Sequence, residues 1–195
     1  IVINTRMQAA SRRIVERIAA PLARMGVHPN TLTLAGLLLS VPTAFTIAMG
    51  WTIAGGFLVL FTGWFDMLDG AVARISKNGS AFGAFFDSTL DRWAEGIIFI
   101  GLIWFFMDQA FRVEIILAVA TLIGSMLISY TRAKAESLNI QCAVGLFQRP
   151  ERFLVLGLLL IGPTWLLSYG MWLMAFGTQV TAVQRVLHVR RSTTN

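Results

Sequence analysis

The chain has 195 residues, 56% of them hydrophobic and only 13% charged, with 14 Phe and 6 Trp. That composition excludes a disordered chain, and a single cysteine, Cys142, excludes a disulfide scaffold. A soluble domain of this length would be about a quarter charged, so what remains is an integral membrane protein with room for about six spans of roughly 20 residues.

Residues 4–25 carry Met7, Ile14, Ile18, Leu22 and Met25 at helical spacing, with arginines on the other side. This predicts an amphipathic helix lying in the membrane interface. Gly26 ends it, and Pro29 stands where a new helix would start. Six spans follow: Thr31 to Met49, Trp51 to Ile75, Phe82 to Met107, Val113 to Ser137, Glu151 to Leu167 and Met171 to His188. Short loops at Gly50, Asn78-Gly79, Asp108 to Arg112 and Ser168 to Gly170 join them, and the longest connection runs from Leu138 to Pro150. With no internal repeat and no domain boundary, the chain reads as one all-α membrane domain, an interfacial helix over 1–26 and a six-helix bundle over 31–188.

The net charge of +6 does not mark a nucleic-acid binder, because the basic residues sit ahead of the first apolar run and at span ends. With the N-terminus in the cytoplasm, 14 of the 16 Lys and Arg fall on that side, Arg112 alone faces out, and Arg92 lies within the third span. The positive-inside rule therefore predicts both termini in the cytoplasm of a multi-pass cell-membrane protein.

Four of the ten acidic residues are aspartates in two neighbouring spans. The second span ends with Asp66-Met-Leu-Asp69-Gly70-Ala-Val-Ala73-Arg74, and the third begins with Gly83-Ala-Phe-Phe-Asp87-Ser-Thr-Leu-Asp91. At 3.6 residues per turn, Asp66, Asp69, Gly70 and Ala73 share one face, as do Gly83, Asp87 and Asp91. A mid-membrane aspartate costs about 2.5–3.5 kcal/mol, so four cost up to roughly 10, which rivals the whole stability of a typical domain, about 5–15 kcal/mol. Hard divalent cations with oxygen ligands offset that cost directly, pointing to a two-metal carboxylate site on the cytoplasmic side. Packing between helices accounts for isolated glycines in such spans, but not for four aspartates.

The run Asp66-x-x-Asp69-Gly70-x-x-Ala73-Arg74, eight residues, Gly83-x-x-x-Asp87-x-x-x-Asp91 resembles the signature of the CDP-alcohol phosphotransferase family at every fixed position. The resemblance implies a six-span enzyme with an N-terminal interfacial helix that transfers a phosphatidyl group from a CDP-linked lipid to an alcohol and releases CMP. It implies two Mg²⁺ or Mn²⁺ ions held by Asp66, Asp69 and Asp87 with Asp91 close by, and Asp91 as the base that activates the incoming hydroxyl. It also implies contacts to the CDP-lipid from Asn30, Thr33, Asp69, Gly70, Ala73, Arg74, Ser80 and Gly83. Locally, Asn30 and Thr33 fit a helix N-cap after Pro29 equally well.

The acceptor alcohol is read from the other cations. Arg132 and Lys134 end the fourth span, Arg149 and Arg152 open the fifth, and Arg185 lies late in the sixth. Each alone fits positive-inside topology with snorkelling side chains; together they suggest an anion pocket, since Arg grips phosphate with a bidentate fork. The stretches Tyr130-Thr-Arg132-Ala-Lys134-Ala-Glu136, Gln148-Arg149-Pro150-Glu151-Arg152 and Val183-Gln184-Arg185 resemble those of bacterial phosphatidylinositol-phosphate synthases, with the cations around Ala133 in reverse order. This resemblance implies inositol phosphate as acceptor, Arg132, Arg152 and Arg185 as its phosphate ligands with Lys134 and Arg149 in support, and a homodimer. Glycerol 3-phosphate as acceptor, an archaeol-based CDP-lipid as donor and, outside enzymes, a divalent cation transporter are the alternatives. Glu95 and Arg92 fit either a structural ion pair or support for Asp91. His28, His188 and Cys142 have no metal-ligating company in the sequence.

Overall fold

The computed structural model describes residues 15–76, 80–145 and 147–194. The part of the amphipathic helix before Val15 and the connection over 77–79 lie outside the described residues. Among the described residues there are seven helices: α1 over 15–24, α2 Pro29–Ala48, α3 Thr52–Ser76, α4 Ala81–Asp108, α5 Arg112–Ser137, α6 Arg149–Ile161 and α7 Thr164–Thr194.

The six longer helices pack in a ring of order α2, α4, α5, α7, α6, α3, which closes again on α2. Its interior is apolar, filled by Ile98, Phe99, Leu102 and Phe106 of α4, Leu156 and Leu160 of α6, and Met171 and Met174 of α7. The outer surface is equally apolar: Leu38, Phe45, Phe57, Ile100, Trp104 and Phe176 are all exposed. A body that is hydrophobic inside and out is solvated by lipid, not water. By length and composition α2, α3 and α5 are sufficient to cross a membrane. The remaining three depart for visible reasons: α4 carries Asp87, Asp91, Arg92 and Glu95 in its first half, α6 has 13 residues, and α7 ends among arginines.

Three buried threonine hydroxyls donate to their own helix: Thr43 to the Leu39 carbonyl at 2.8 Å, Thr62 to Leu58 at 2.9 Å and Thr121 to Leu117 at 2.7 Å. In lipid every polar group needs such an internal partner. Small residues set the closest helix contacts. A Cβ at Gly56 of α3 would stand 2.6 Å from the Gly157 carbonyl of α6, so these helices touch backbone to backbone.

Two elements depart from the pattern read in the sequence. The fifth and sixth spans divide at Gly162-Pro163 and not at Ser168 to Gly170. Pro163 has no N–H to give to a continuing helix and forces the residue before it out of helical geometry, and Gly162 is extended, with ψ 176°. Gly170 lies within α7, where it makes room for the Leu159 side chain of α6. The face of α1 turned to the protein is Val15 and Ala19, with Leu22 and Ala23, against Leu68, Ala71 and Val72 of α3. Ile18 and Met25 of the expected apolar stripe are exposed.

Candidate active site

α3 ends and α4 begins on either side of a short connection, and both pack against α2, so their four aspartates come together beside it. Asp69 is buried. Its Oδ2 accepts from the Thr33 hydroxyl of α2 at 3.1 Å, and its Oδ1 lies 2.5 Å from the Gly70 amide. The carboxyl groups of Asp69 and Asp87 touch across the α3–α4 seam. Arg149, at the start of α6, places a single Nη1 atom 2.7 Å from Asp66 Oδ2 and 2.7 Å from Asp91 Oδ2. Arg92 approaches Asp91 at 3.6 Å while its guanidinium also bonds the Ser88 carbonyl one turn back.

Among the described residues, three cavities border this cluster; one, about 240 Å³, has Asp66 and Arg149 in its wall, and the other two share Asp87. The first of these two, about 190 Å³, is lined by Pro29, Asn30 and Thr33 of α2, Asp69, Gly70 and Ala73 of α3, Ser80, and Gly83, Ala84 and Asp87 of α4. Seven of the eight residues expected to contact the CDP-lipid, Asp69 among them, therefore share one wall; the eighth is Arg74. Arg74 stands just outside, its guanidinium over Gly70, where a Cβ would meet Nη1 at 3.4 Å. Local capping explains the arrangement. His28, not Asn30 or Thr33, is the N-cap of α2, its Nδ1 accepting from the Asn30 amide at 3.3 Å, so the Asn30 and Thr33 side chains are left to face the cavity. Ser80 caps α4 through the Gly83 amide at 2.9 Å. Both helices open onto the cavity with their N-termini, where the positive end of the helix dipole suits phosphate oxygens.

The second cavity, about 920 Å³, runs between α4 and α5. Ala84, Asp87, Ser88, Asp91 and Arg92 line one side, and Met126, Ser129, Tyr130, Arg132 and Glu136 the other. Asp87 belongs to both cavities, so a molecule in each would meet at the aspartates.

The five candidate phosphate ligands are not gathered in one pocket. Arg132 alone lines the second cavity, half-exposed and paired with Glu136 at 2.8 Å. Lys134 is exposed at the end of α5. Arg149 belongs to the aspartate cluster. Arg152 is 2% exposed and grips Glu95, itself 3% exposed, through Nε and Nη2 at 3.0 and 3.1 Å, while Nη1 bonds the Phe147 carbonyl at 3.1 Å. Arg185 is buried and ties α7 to the Val144 carbonyl at 2.9 Å and the Ile128 carbonyl at 2.5 Å.

Glu95 is the residue whose part was undecided in the sequence. It lies one turn beyond Asp91 on α4, as Arg152 lies one turn beyond Arg149 on α6, and the two pairs form successive rungs across the ring. The i, i+4 and i, i+3 spacings were the signal that could have found them. The donor set fits divalent metal: four oxygen-bearing side chains on two rigid helices, two of them in contact, with one guanidinium between the others. Among the described residues, no three acidic or imidazole groups yet converge as ligands of one ion.

Residues 26–183 match the CDP-alcohol phosphatidyltransferase family. A phosphatidylinositol phosphate synthase of Mycobacterium tuberculosis is 39% identical over 92% of this chain and 87% of its own. An archaetidylinositol phosphate synthase of Methanothermobacter thermautotrophicus is 36% identical over 96% of each chain. The crystal structure of the M. tuberculosis synthase with CDP-DAG bound superposes with a TM-score of 0.80 at 36% identity, over 91% of this chain and 94% of that one. The same enzyme in complex with manganese and citrate gives 0.78 at 37%, over 90% and 88%. With the hairpin of aspartates, the cavity beneath the two helix N-termini and a match over most of its length, this membrane protein belongs to the CDP-alcohol phosphatidyltransferase family.

Proposed function

We propose that the protein transfers the phosphatidyl group of CDP-diacylglycerol to 1D-myo-inositol 3-phosphate (L-myo-inositol 1-phosphate), giving phosphatidylinositol phosphate and CMP. The observation that carries this reading is the position of Asp87 in the walls of both cavities. One cavity is dressed for a nucleotide-linked phosphate, and the other opens toward Arg132. The smaller cavity takes the CDP moiety, with Asn30, Thr33, Gly70, Ala73, Ser80 and Gly83 as its wall and Arg74 at its rim. Asp66, Asp69, Asp87 and Asp91 hold two Mg²⁺ or Mn²⁺ ions. When bound, these neutralise the pyrophosphate and stabilise the leaving CMP phosphate. Asp91 lines the larger cavity, the side from which an acceptor hydroxyl would arrive, which suits it as the proton acceptor.

On the acceptor side, Arg132 faces the cavity directly. Arg152 is held by Glu95 along its Nε–Nη2 edge, buried behind the cavity; with five N–H groups on a guanidinium, Nη1 and Nη2 each retain one beyond the bonds to Phe147 and Glu95. Arg185 fixes the loop before α6, and Lys134 adds charge at the rim. All six long helices span the cell membrane, with α1 in the interface, both termini and the aspartates on the cytoplasmic side, and two chains form a homodimer. Membership in a transferase family displaces the cation-transporter alternative. The archaetidylinositol phosphate synthase at 36% identity supports a second reading in which the donor lipid is archaeol-based.

The test is CMP release by purified protein supplied with CDP-diacylglycerol or its archaeol counterpart, against inositol phosphate, free inositol, glycerol 3-phosphate and serine, with and without Mg²⁺ or Mn²⁺. Inositol phosphate should be the preferred acceptor and chelation should abolish release. Preference for free inositol would sink the basic-residue reading, and preference for glycerol 3-phosphate would reassign the acceptor.

A further inference from the structure

Among the described residues, Arg149 is the one cation in direct contact with aspartates of both motif helices, through a single nitrogen shared between Asp66 of α3 and Asp91 of α4. Its other two nitrogens, Nε and Nη2, are buried and have no hydrogen-bond partner. A charged donor left unmet in a buried place is costly, so the guanidinium is held here through Nη1 alone, with three of its five N–H donors unused. The Phe153 ring, centred 5.1 Å from the guanidinium carbon, supports it from α6. Among the described residues, no three carboxylates converge as a ligand set beside it.

From these four observations we infer that Arg149 is a built-in counter-cation of the aspartate cluster and competes with divalent metal for Asp66 and Asp91. In the metal-free protein it offsets repulsion among the four carboxylates and holds α3, α4 and α6 together. Divalent ions arriving at the same oxygens displace it, and its Nε and Nη2 donors can then meet an anionic oxygen that the resting position denies them. Metal affinity is thereby set lower than the four aspartates alone would give, and the protein is protected from the cost of an empty acidic cluster. This rests on the metal-binding part of the function proposed above.

The opposing account is that Arg149 orients the carboxylates from outside and aids metal binding. The two accounts differ in sign, because loss of an outer partner that orients ligands lowers metal affinity, typically 10–100-fold, whereas loss of a competing cation a few ångströms away raises it. Mn²⁺ affinity, read from the signal of free Mn²⁺ in electron paramagnetic resonance or by calorimetry, is compared for the full-length wild type, Arg149→Gln and Arg149→Lys in detergent with no substrate present. Thermal unfolding is followed on the same samples with and without Mn²⁺. Arg149→Gln should bind Mn²⁺ about tenfold more tightly, unfold at a lower temperature than wild type when metal-free, and gain more from added Mn²⁺. If the metal-free Gln variant does not fold, the Lys variant carries the test: its point charge cannot bridge both carboxylates as the guanidinium does, so its affinity should rise by a smaller factor. Unchanged or weaker Mn²⁺ binding in the variants, with wild type binding normally, overturns the inference and leaves the proposed function standing. Failure of wild type and variants alike to bind Mn²⁺ overturns both.

Discussion

The two cavities that meet at Asp87 are built by opposite means. The smaller is made by the start of α2, the end of α3 and the start of α4, and two of its backbone amides are capped by neighbours close in sequence, Asn30 by His28 and Gly83 by Ser80, with one longer link from Thr33 to Asp69. The larger and its surroundings depend on partners far apart in the chain. Arg152 is fixed by Glu95, 57 residues away, and Arg185 by Ile128 and Val144. The difference teaches that the nucleotide side is a local motif, tolerant of what surrounds it, whereas the acceptor side exists only once the ring of helices has closed.

The largest expected effect falls where the two cavities join. Asp91→Asn keeps the shape of the side chain and removes the charge and the proton acceptor. CMP release should fall by about 10²–10⁴-fold with the fold retained. An unchanged rate would take the acceptor side of the cluster out of the chemistry altogether.

Next comes the rung that depends on ring closure. Glu95→Gln or Arg152→Gln alone leaves an uncompensated buried charge, which costs about 3–5 kcal/mol, and thermal unfolding in detergent should move down accordingly. Glu95→Gln with Arg152→Gln removes both charges and should recover much of that loss. Glu95→Asp, which keeps the charge with a shorter reach, should recover part of it. If both single variants unfold like wild type, the acceptor side is no more dependent on distant partners than the nucleotide side, and the contrast between them fails.

That contrast also explains what could be read in advance. The helix periods, the short connections and the positions that share the smaller cavity follow from spacings of three to eight residues, so Asp66 through Asp91 could be placed on facing sides of a hairpin. The cap of α2 went to His28 because an imidazole can accept from an amide two residues on, a role that Asn30 fits better by propensity. The division between α6 and α7 was misplaced because Gly170 looks like a loop signal, while in the ring it is a packing contact with Leu159. The partners of Arg149, Arg152 and Arg185 depend on which helices become neighbours. Runs of apolar residues do not specify that order, so the separate contacts of Arg149 with aspartates, Arg152 with Glu95 and Arg185 with two backbone carbonyls were not legible.

Two smaller effects separate the cavities. On the nucleotide side, a Cβ at Gly83 would stand 3.1 Å from the Ser80 hydroxyl and 3.2 Å from Asn30 Oδ1. Gly83→Ala should therefore crowd the cavity wall, raising KM for the CDP-lipid about tenfold while KM for the acceptor and the unfolding temperature change little. A rise confined to the acceptor KM would exchange the assignments of the two cavities.

The smallest expected effect is at Arg132, and its interest lies in a pair of opposite signs. Arg132 and Glu136 are both about half-exposed, 53% and 52%, and 2.8 Å apart on one turn of α5. Such a pair contributes only about 0.3–0.5 kcal/mol to a helix, so neither substitution should alter stability noticeably. Both side chains line the larger cavity, so their charges act instead on what enters it. Arg132→Gln removes an attraction for an anionic acceptor and should raise its KM a few-fold. Glu136→Gln removes a repulsion and frees the guanidinium from its neighbour, so the same KM should fall. Added salt should shrink both changes, since charges this exposed are screened over about 10 Å at 0.1 M. Free inositol, which carries no charge, should respond to neither. Equal responses from phosphorylated and free inositol would mean that Arg132 shapes the cavity without reading the phosphate, leaving that recognition to the buried Arg152.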